Sequence, residues 1–423
     1  YHAVKQGKTY DVIHPSMREL MAETYGVMVY QEDVIKVAHE FAGITLTEAD
    51  VLRRGMSGKY RSREEFQRVR DRFFEECRKK GYDGHVIDRV WFEIESFSGY
   101  SFAKGHSASY AVESYQSLFL KAHFPVEFMV GVINNFGGFY KTEFYFHEAR
   151  MSGATIHAPS MNKSDYLTTL YGDDIYVGFI HVKGLESKLG KTIELERKAS
   201  GEYKGIEDFL NRIDIGLEQL RILIRIGAFR FTGRSKPRLL WQGMLHFGSL
   251  RSRNKSPNLF NTEPKEYPLP SLSQHAMEDA FDELELLGFP LCDPFSLLAT
   301  TDRGDTTASE LPAKVGKRVH IIGYVVTTKD TRAKNHETMH FGTFLDSTGA
   351  IFDTVHFPNE AKKYPFRGRG FYRIHGRVVE DFGVATIEVN TMEKLSMIHK
   401  RADEFLREAA VNPPGFHHPN PVH

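Results

Sequence analysis

The sequence predicts a multi-domain α+β chain. A helical region comes first, then a module of paired helix–hairpin–helix elements, then a small five-stranded barrel. Three observations predict it. Apolar residues recur at helical spacing through most of residues 1–150. Two helical segments each turn about a glycine, Gly184 and Gly227. Five aromatic-rich runs of alternating polarity crowd into residues 316–390. The chain has 423 residues, 41% hydrophobic and 26% charged, which suits two to four globular domains.

The first region centres on Gly99–Pro125, GYSFAKGHSASYAVESYQSLFLKAHFP. Lys104 and His106 sit where a helix begins, and Pro125 stops it. Cationic and imidazole donors at a helix start suit an anion, because the backbone N–H groups and the dipole point the same way. Tyr110 follows one turn later. Upstream, Val27–Tyr30 reads as a short β-like run that turns helical and ends at Gly43. Thr47 is placed to cap the next helix, whose C-terminal end gathers Arg53, Arg54 and Lys59. Arginine can grip phosphate bidentately and lysine as a point charge, although cations also simply suit a helix C-terminus. Ser62 and Glu65 form a capping box for a helix with Phe66, Val69, Phe73 and Cys77 on one face. That spacing makes Cys77 a core residue. A further helix turns Val90, Trp91, Ile94 and Phe97 inward.

Formal net charge is zero, with 55 Lys+Arg against 55 Asp+Glu, so the total does not announce a polyanion partner. Val51–Lys80 does: it holds eleven Lys+Arg and five Asp+Glu. The two cysteines are far apart in sequence and form neither a zinc spacing nor a disulfide framework, which fits a reducing compartment. No signal peptide opens the chain and no long apolar run suggests a membrane span. It begins at Tyr1 in mid-pattern, as a piece of a longer protein would.

Residues 151–175 read as a β-like connector. Asp173 and Asp174 lie in a YGDD hairpin turn, which explains them better than a metal does. Residues 176–240 carry the two glycine hairpins, with Lys183, Lys188, Lys191, Arg225, Arg230 and Arg234 nearby. Such hairpins can offer backbone N–H groups to phosphate without reading bases; ordinary helical packing is the other reading. Residues 241–314 read as linker and one amphipathic helix broken at Gly288 and Pro290. In residues 315–395 the five runs, with a long excursion between the third and fourth, suit an OB-type barrel. Phe341, Phe344, Phe352, Phe357 and Phe371, with Arg332, Lys334 and Arg373, could stack and pair with single strands, though alternation buries about half of the rings. Residues 396–423 read as a disordered tail.

The motifs YGVMVYQEDV, LRRGMSGK and FSGYSFAKGHSASYAVESYQSLFLKAHFPVEFM, followed by paired hairpins and a barrel, resemble the C-terminal part of the bacterial DNA polymerase III alpha subunit, a C-family polymerase. The likeness covers nearly the whole chain. It implies that residues 1–150 are part of a fingers domain, and that Arg53, Arg54, Lys59, Lys104, His106 and Tyr110 meet the incoming nucleotide. It further implies DNA contacts at Lys183, Gly184, Lys188, Gly227, Arg230, Arg332 and Lys334. Primer–template DNA and deoxynucleoside triphosphates are the implied partners, with a sliding clamp and other replisome subunits, in the cytoplasm and away from membranes. The family's palm motif of closely spaced aspartates is missing, so the Mg2+ ions are expected outside this chain, which alone should not polymerise DNA. The chain also stops soon after the barrel, as in the shorter error-prone relatives or in a truncated piece. A non-catalytic DNA-binding scaffold is the alternative.

Overall fold

The computed structural model describes residues 2–56, 63–97, 102–252, 277–332, 336–381 and 383–398. Lys59, Ser62, Lys334, the linker 253–276 and the tail 399–423 lie outside the described residues. The chain divides into two compact units, Tyr1–Ala122 and His123–His423. Among the described residues, no helix is long and apolar enough to cross a membrane.

The first unit is helical: α1 (His2–Lys5), α2 (Pro15–Leu20), α3 (Gln31–Lys36), α4 (Leu46–Met56), α5 (Arg63–Lys79), α6 (Gly84–Ser96) and α7 (Lys104–His123). Val27–Val29 is not a strand. Among the described residues, Tyr30 of this run makes a bridge, to Phe102. Helix α3 runs on as wider π-turns through Val37–Ala42. Gly43 closes these turns at φ 89°, and the Lys80 ammonium donates to the freed carbonyls of Glu40 (3.0 Å) and Phe41 (2.9 Å). Thr45, not Thr47, caps α4. Its N–H and hydroxyl donate to Glu48 at 2.9 and 2.7 Å, and the Glu48 N–H donates back at 3.3 Å. Thr47 lacks such a partner three residues on, since Asp50 is held by Arg53 and Arg54. Val69, Phe73 and Cys77 of α5 pack with Val90, Trp91 and Ile94 of α6 and with Val34, Val37 and Phe41. Burial pushes the Cys77 thiol up to about 12, so it behaves as a core residue.

The second unit opens with α8 (Pro125–Asn134), where Pro125 takes the first helical position, and α9 (Thr142–Met151). Strands β1 (Thr155–His157), β2 (Thr169–Tyr171) and β3 (Asp174–Tyr176) form a sheet ordered β1-β3-β2, with the YGDD hairpin joining β2 to β3. Helices α10 (Ser187–Ser200), α11 (Ile206–Arg212), α12 (Leu217–Arg225), α13 (Lys236–Ser252) and α14 (Glu278–Leu286) follow. Their core joins Ile193, Phe209, Leu220, Leu223 and Phe229 to Phe146 of α9.

Strands β4 (Arg318–Arg332), β5 (Thr338–Leu345), β6 (Ile351–His356), β7 (Phe371–Asp381) and β8 (Val384–Leu395) close a barrel in the order β4-β5-β6-β8-β7. Only β6 and β8 pair in parallel. Helix α15 (Pro358–Lys363) fills the excursion between β6 and β7. Phe344, Phe352 and Phe371 are buried; Phe341 is exposed, as alternation along β5 requires, and so is Phe357, which lies past the end of β6.

Helix α9, expected with the first helical region, belongs by its contacts to the second unit. Phe144 joins Phe295, Tyr324 and Phe371 at the barrel wall. The buried Glu143 carboxylate accepts from the Tyr324 hydroxyl (3.0 Å) and the Arg369 guanidinium (2.5 Å). Arg369 also reaches the Gly288 carbonyl, so α9, the barrel and the α14 segment share one polar seam.

Candidate nucleotide and nucleic-acid interfaces

In the first unit the start of α3 organises the charged residues. The Asp33 carboxylate accepts from the N–H groups of Val29 (3.0 Å) and Tyr30 (2.8 Å), fixing the helix start. Gln31 then accepts from the Arg53 guanidinium at 3.1 Å. Its neighbour Glu32 accepts from the Lys104 backbone N–H at 3.0 and 3.1 Å. Consecutive residues of one helical turn thus bind Arg53 of α4 and the first residue of α7. Arg53 and Arg54 both hold Asp50, at 2.8 and 3.0 Å. The Lys104 ammonium pairs with Glu23, which raises the lysine's pKa and lowers the carboxyl's. The edge of one ring meets the face of the other for His106 and Tyr110, with centroids 4.4 Å apart, one turn apart on α7. Among the described residues of α7 none is buried.

Sequence reasoning found the cations and missed Glu23, Gln31, Glu32 and Asp50. Asp50 was legible, since it precedes Arg53 and Arg54 by three and four residues on a helix. Glu23 lies 81 residues from Lys104 and carried no local signal.

The two hairpins of the second unit differ. At the first, Gly184 takes φ 79° between a 3-10 turn at Phe179–His181 and α10. Lys183, Gly184, Glu186, Ser187 and Lys188 are exposed. Gln219 braces the turn, donating to the Gly184 carbonyl and accepting from the Glu186 N–H, both at 2.9 Å. At the second, Gly227 takes φ 80° after α12, and Ile226, Gly227, Ala228 and Phe229 are all buried. Arg230 donates to the Ile226 carbonyl at 3.2 Å and reaches Asp279 of α14 at 3.1 Å.

On the barrel, Arg332 is exposed at the end of β4. Arg373 is engaged by Asp302 (3.2 Å) and Glu393 (2.9 Å). His336 holds φ 63°, a left-handed backbone that favours glycine, and Glu337 pairs with Lys362 at 2.8 Å.

Residues 1–81 match the model of the bacterial DNA polymerase III alpha subunit finger domain, and residues 153–239 match a helix-hairpin-helix motif. A relative named DNA polymerase III subunit alpha, from Borreliella burgdorferi, is 29% identical over 93% of this chain and 36% of its own length. Another of that name, from Aquifex aeolicus, is 30% identical over 82% of this chain and 30% of its own length. Over most of its length the chain is similar to bacterial DNA polymerase III alpha subunits. A third subunit alpha, from Thermus aquaticus, is 35% identical over 53% of this chain and 18% of its own length. Against these alpha subunits the chain spans about a third of the Borreliella and Aquifex proteins. The chain also aligns with the second OB-fold domain of replication protein A from Methanococcus maripaludis, at 14% identity, 20% of this chain, 91% of that one and a TM-score of 0.16.

Proposed function

We propose that this chain supplies the incoming-nucleotide and DNA contacts of a DNA-directed DNA polymerase acting in the cytoplasm. The observation that carries the reading is the tie, through Gln31 and Glu32, between Arg53, which shares Asp50 with Arg54, and the start of α7 with Lys104. A triphosphate needs several cations along its phosphates, and Arg53, Arg54 and Lys104 supply them; Lys59, outside the described residues, is assigned the same role. His106 and Tyr110 would lie against the sugar or base. In the reaction a primer 3′-oxygen bonds to the α-phosphorus and pyrophosphate leaves. The part assigned to this chain is positioning and charge stabilisation.

Among the described residues no group of three or more His, Cys, Asp or Glu is arranged to hold a metal ion. The Mg2+ ions are proposed to sit on carboxylates outside this chain. Duplex contact is proposed at the Gly184 hairpin with Lys183 and Lys188, and single-strand contact near Arg332 and Lys334. A sliding clamp and other replisome subunits are proposed partners, since the relatives are named as subunits.

Equilibrium titration of the chain with a deoxynucleoside triphosphate tests the reading. Arg54→Ala and Lys104→Ala should each weaken binding about tenfold, the worth of one charge-assisted hydrogen bond. DNA binding with no nucleotide binding would support the non-catalytic DNA-binding scaffold instead, and nucleotide binding indifferent to both changes would overturn the assignment of these residues.

A further inference from the structure

We propose that only the Gly184 hairpin of the helix–hairpin–helix module grips the DNA backbone, and that the Gly227 hairpin is an internal joint whose phosphate-seeking cations are occupied by α14. The inference rests on the reading that this module contacts DNA.

The sequence suggests two equivalent hairpins with cations beside each. The structure separates them by exposure and by charge. Around Gly184 the glycine and the two lysines are exposed, with Glu186 the one acidic side chain in that turn, while the N–H groups of Lys183 and Glu186 are taken by the Leu286 carbonyl (2.7 Å) and Gln219 (2.9 Å). Around Gly227 four consecutive residues are buried, so a phosphate has no path to their N–H groups.

Helix α14 then takes the cations. Arg225 pairs with Asp282 at 2.8 Å and Glu285 at 2.5 Å. Arg230 pairs with Asp279 at 3.1 Å and faces Glu283 at 3.7 Å. Lys236, itself buried, pairs with Asp279 at 2.6 Å and Asp282 at 2.7 Å. Arg234 is held by Glu207 of α11 at 3.0 Å. Three cations therefore meet four α14 carboxylates, and Asp282 and Glu283 are buried. Phosphates competing for Arg225 or Arg230 would take one cation from each of these buried carboxylates, leaving Asp282 with Lys236 and Glu283 with the Leu291 N–H, which opposes the exchange. Glu283 also accepts from the Leu291 N–H at 2.7 Å, so the joint leads directly into the chain entering the barrel.

The test is the salt dependence of binding to a fluorescein-labelled random-sequence duplex, measured by anisotropy with the full chain. Each phosphate contact contributes about 0.9 to the slope of log K against log salt. Lys183→Ala with Lys188→Ala should lower the slope by about 2 and cut affinity at low salt. Arg225→Ala should leave the slope unchanged and lower the melting temperature. Glu285→Gln, at an exposed position, guards against a variant that fails to fold. It should also leave slope and affinity unchanged, whereas a gain of either would mean that α14 merely competes with DNA for Arg225. That gain, or a loss of slope in Arg225→Ala equal to the lysine variant's, overturns the inference while the DNA reading stands. Wild-type chain that binds no duplex overturns both.

Discussion

Two buried histidines make stability depend on pH. His181 lies within 3.1 Å of the Thr168 hydroxyl, and burial pushes it down to about 4. His356 meets the Thr354 hydroxyl at 3.0 Å and is pushed down to about 4 by burial and by His340. An unfolded imidazole titrates near 6.5, so the unfolded chain takes up the proton first. Stability is then full above about pH 6.5 and is lost as pH falls toward 4, by about 3 kcal/mol for each site. Urea unfolding between pH 7.5 and 4.5 should show that loss, and His356→Gln should remove about half of it. A His356→Gln variant with the wild-type pH profile would contradict the assignment. These sites were not legible in the sequence, because their burial comes from strand pairing and helix packing. Cys77 was legible, because its neighbours on the same helix face were all apolar.

At the scale of elements, local signals served well where both partners lie within a few residues. The α5 and α6 faces and the five barrel strands follow from spacing and alternation alone. The α4 cap fell at Thr45 because a capping box needs Glu48 three residues on, a pairing the sequence also contains. The second hairpin shows where local reading stops. Gly227 was found, but the partner of Arg225 lies 57 residues away on α14. Gly227→Ala tests the joint. A β-carbon there is strained at φ 80° and would run into the Arg230 guanidinium. It should cost about 2 kcal/mol, read as a fall in the unfolding midpoint of the helical module. An unchanged midpoint would mean that the turn is loose.

Across the whole molecule, composition indicated several domains but not their grouping. Helix α9 reads as one more member of the helical first region, yet its apolar side splits between the hairpin core and the barrel wall. The Glu143–Arg369 pair links residues 226 apart. Burial raises the Glu143 carboxyl's pKa, and Arg369 opposes that rise. Arg369→Ala should therefore cost about 3 kcal/mol by leaving Glu143 buried and unpaired, with barrel and helical module no longer unfolding together. Coincident unfolding of both parts at the wild-type midpoint would contradict this.

The central claim, that the α3–α4–α7 cluster receives a nucleotide, is tested most directly by labelling. A photoreactive deoxynucleoside triphosphate should be cross-linked to the chain and the labelled peptides mapped. The account predicts label within residues 46–56 and 102–123, suppressed by unlabelled triphosphate and reduced in Lys104→Ala. Suppressible label confined to the barrel or the hairpin module, or no suppressible label at all, would contradict it.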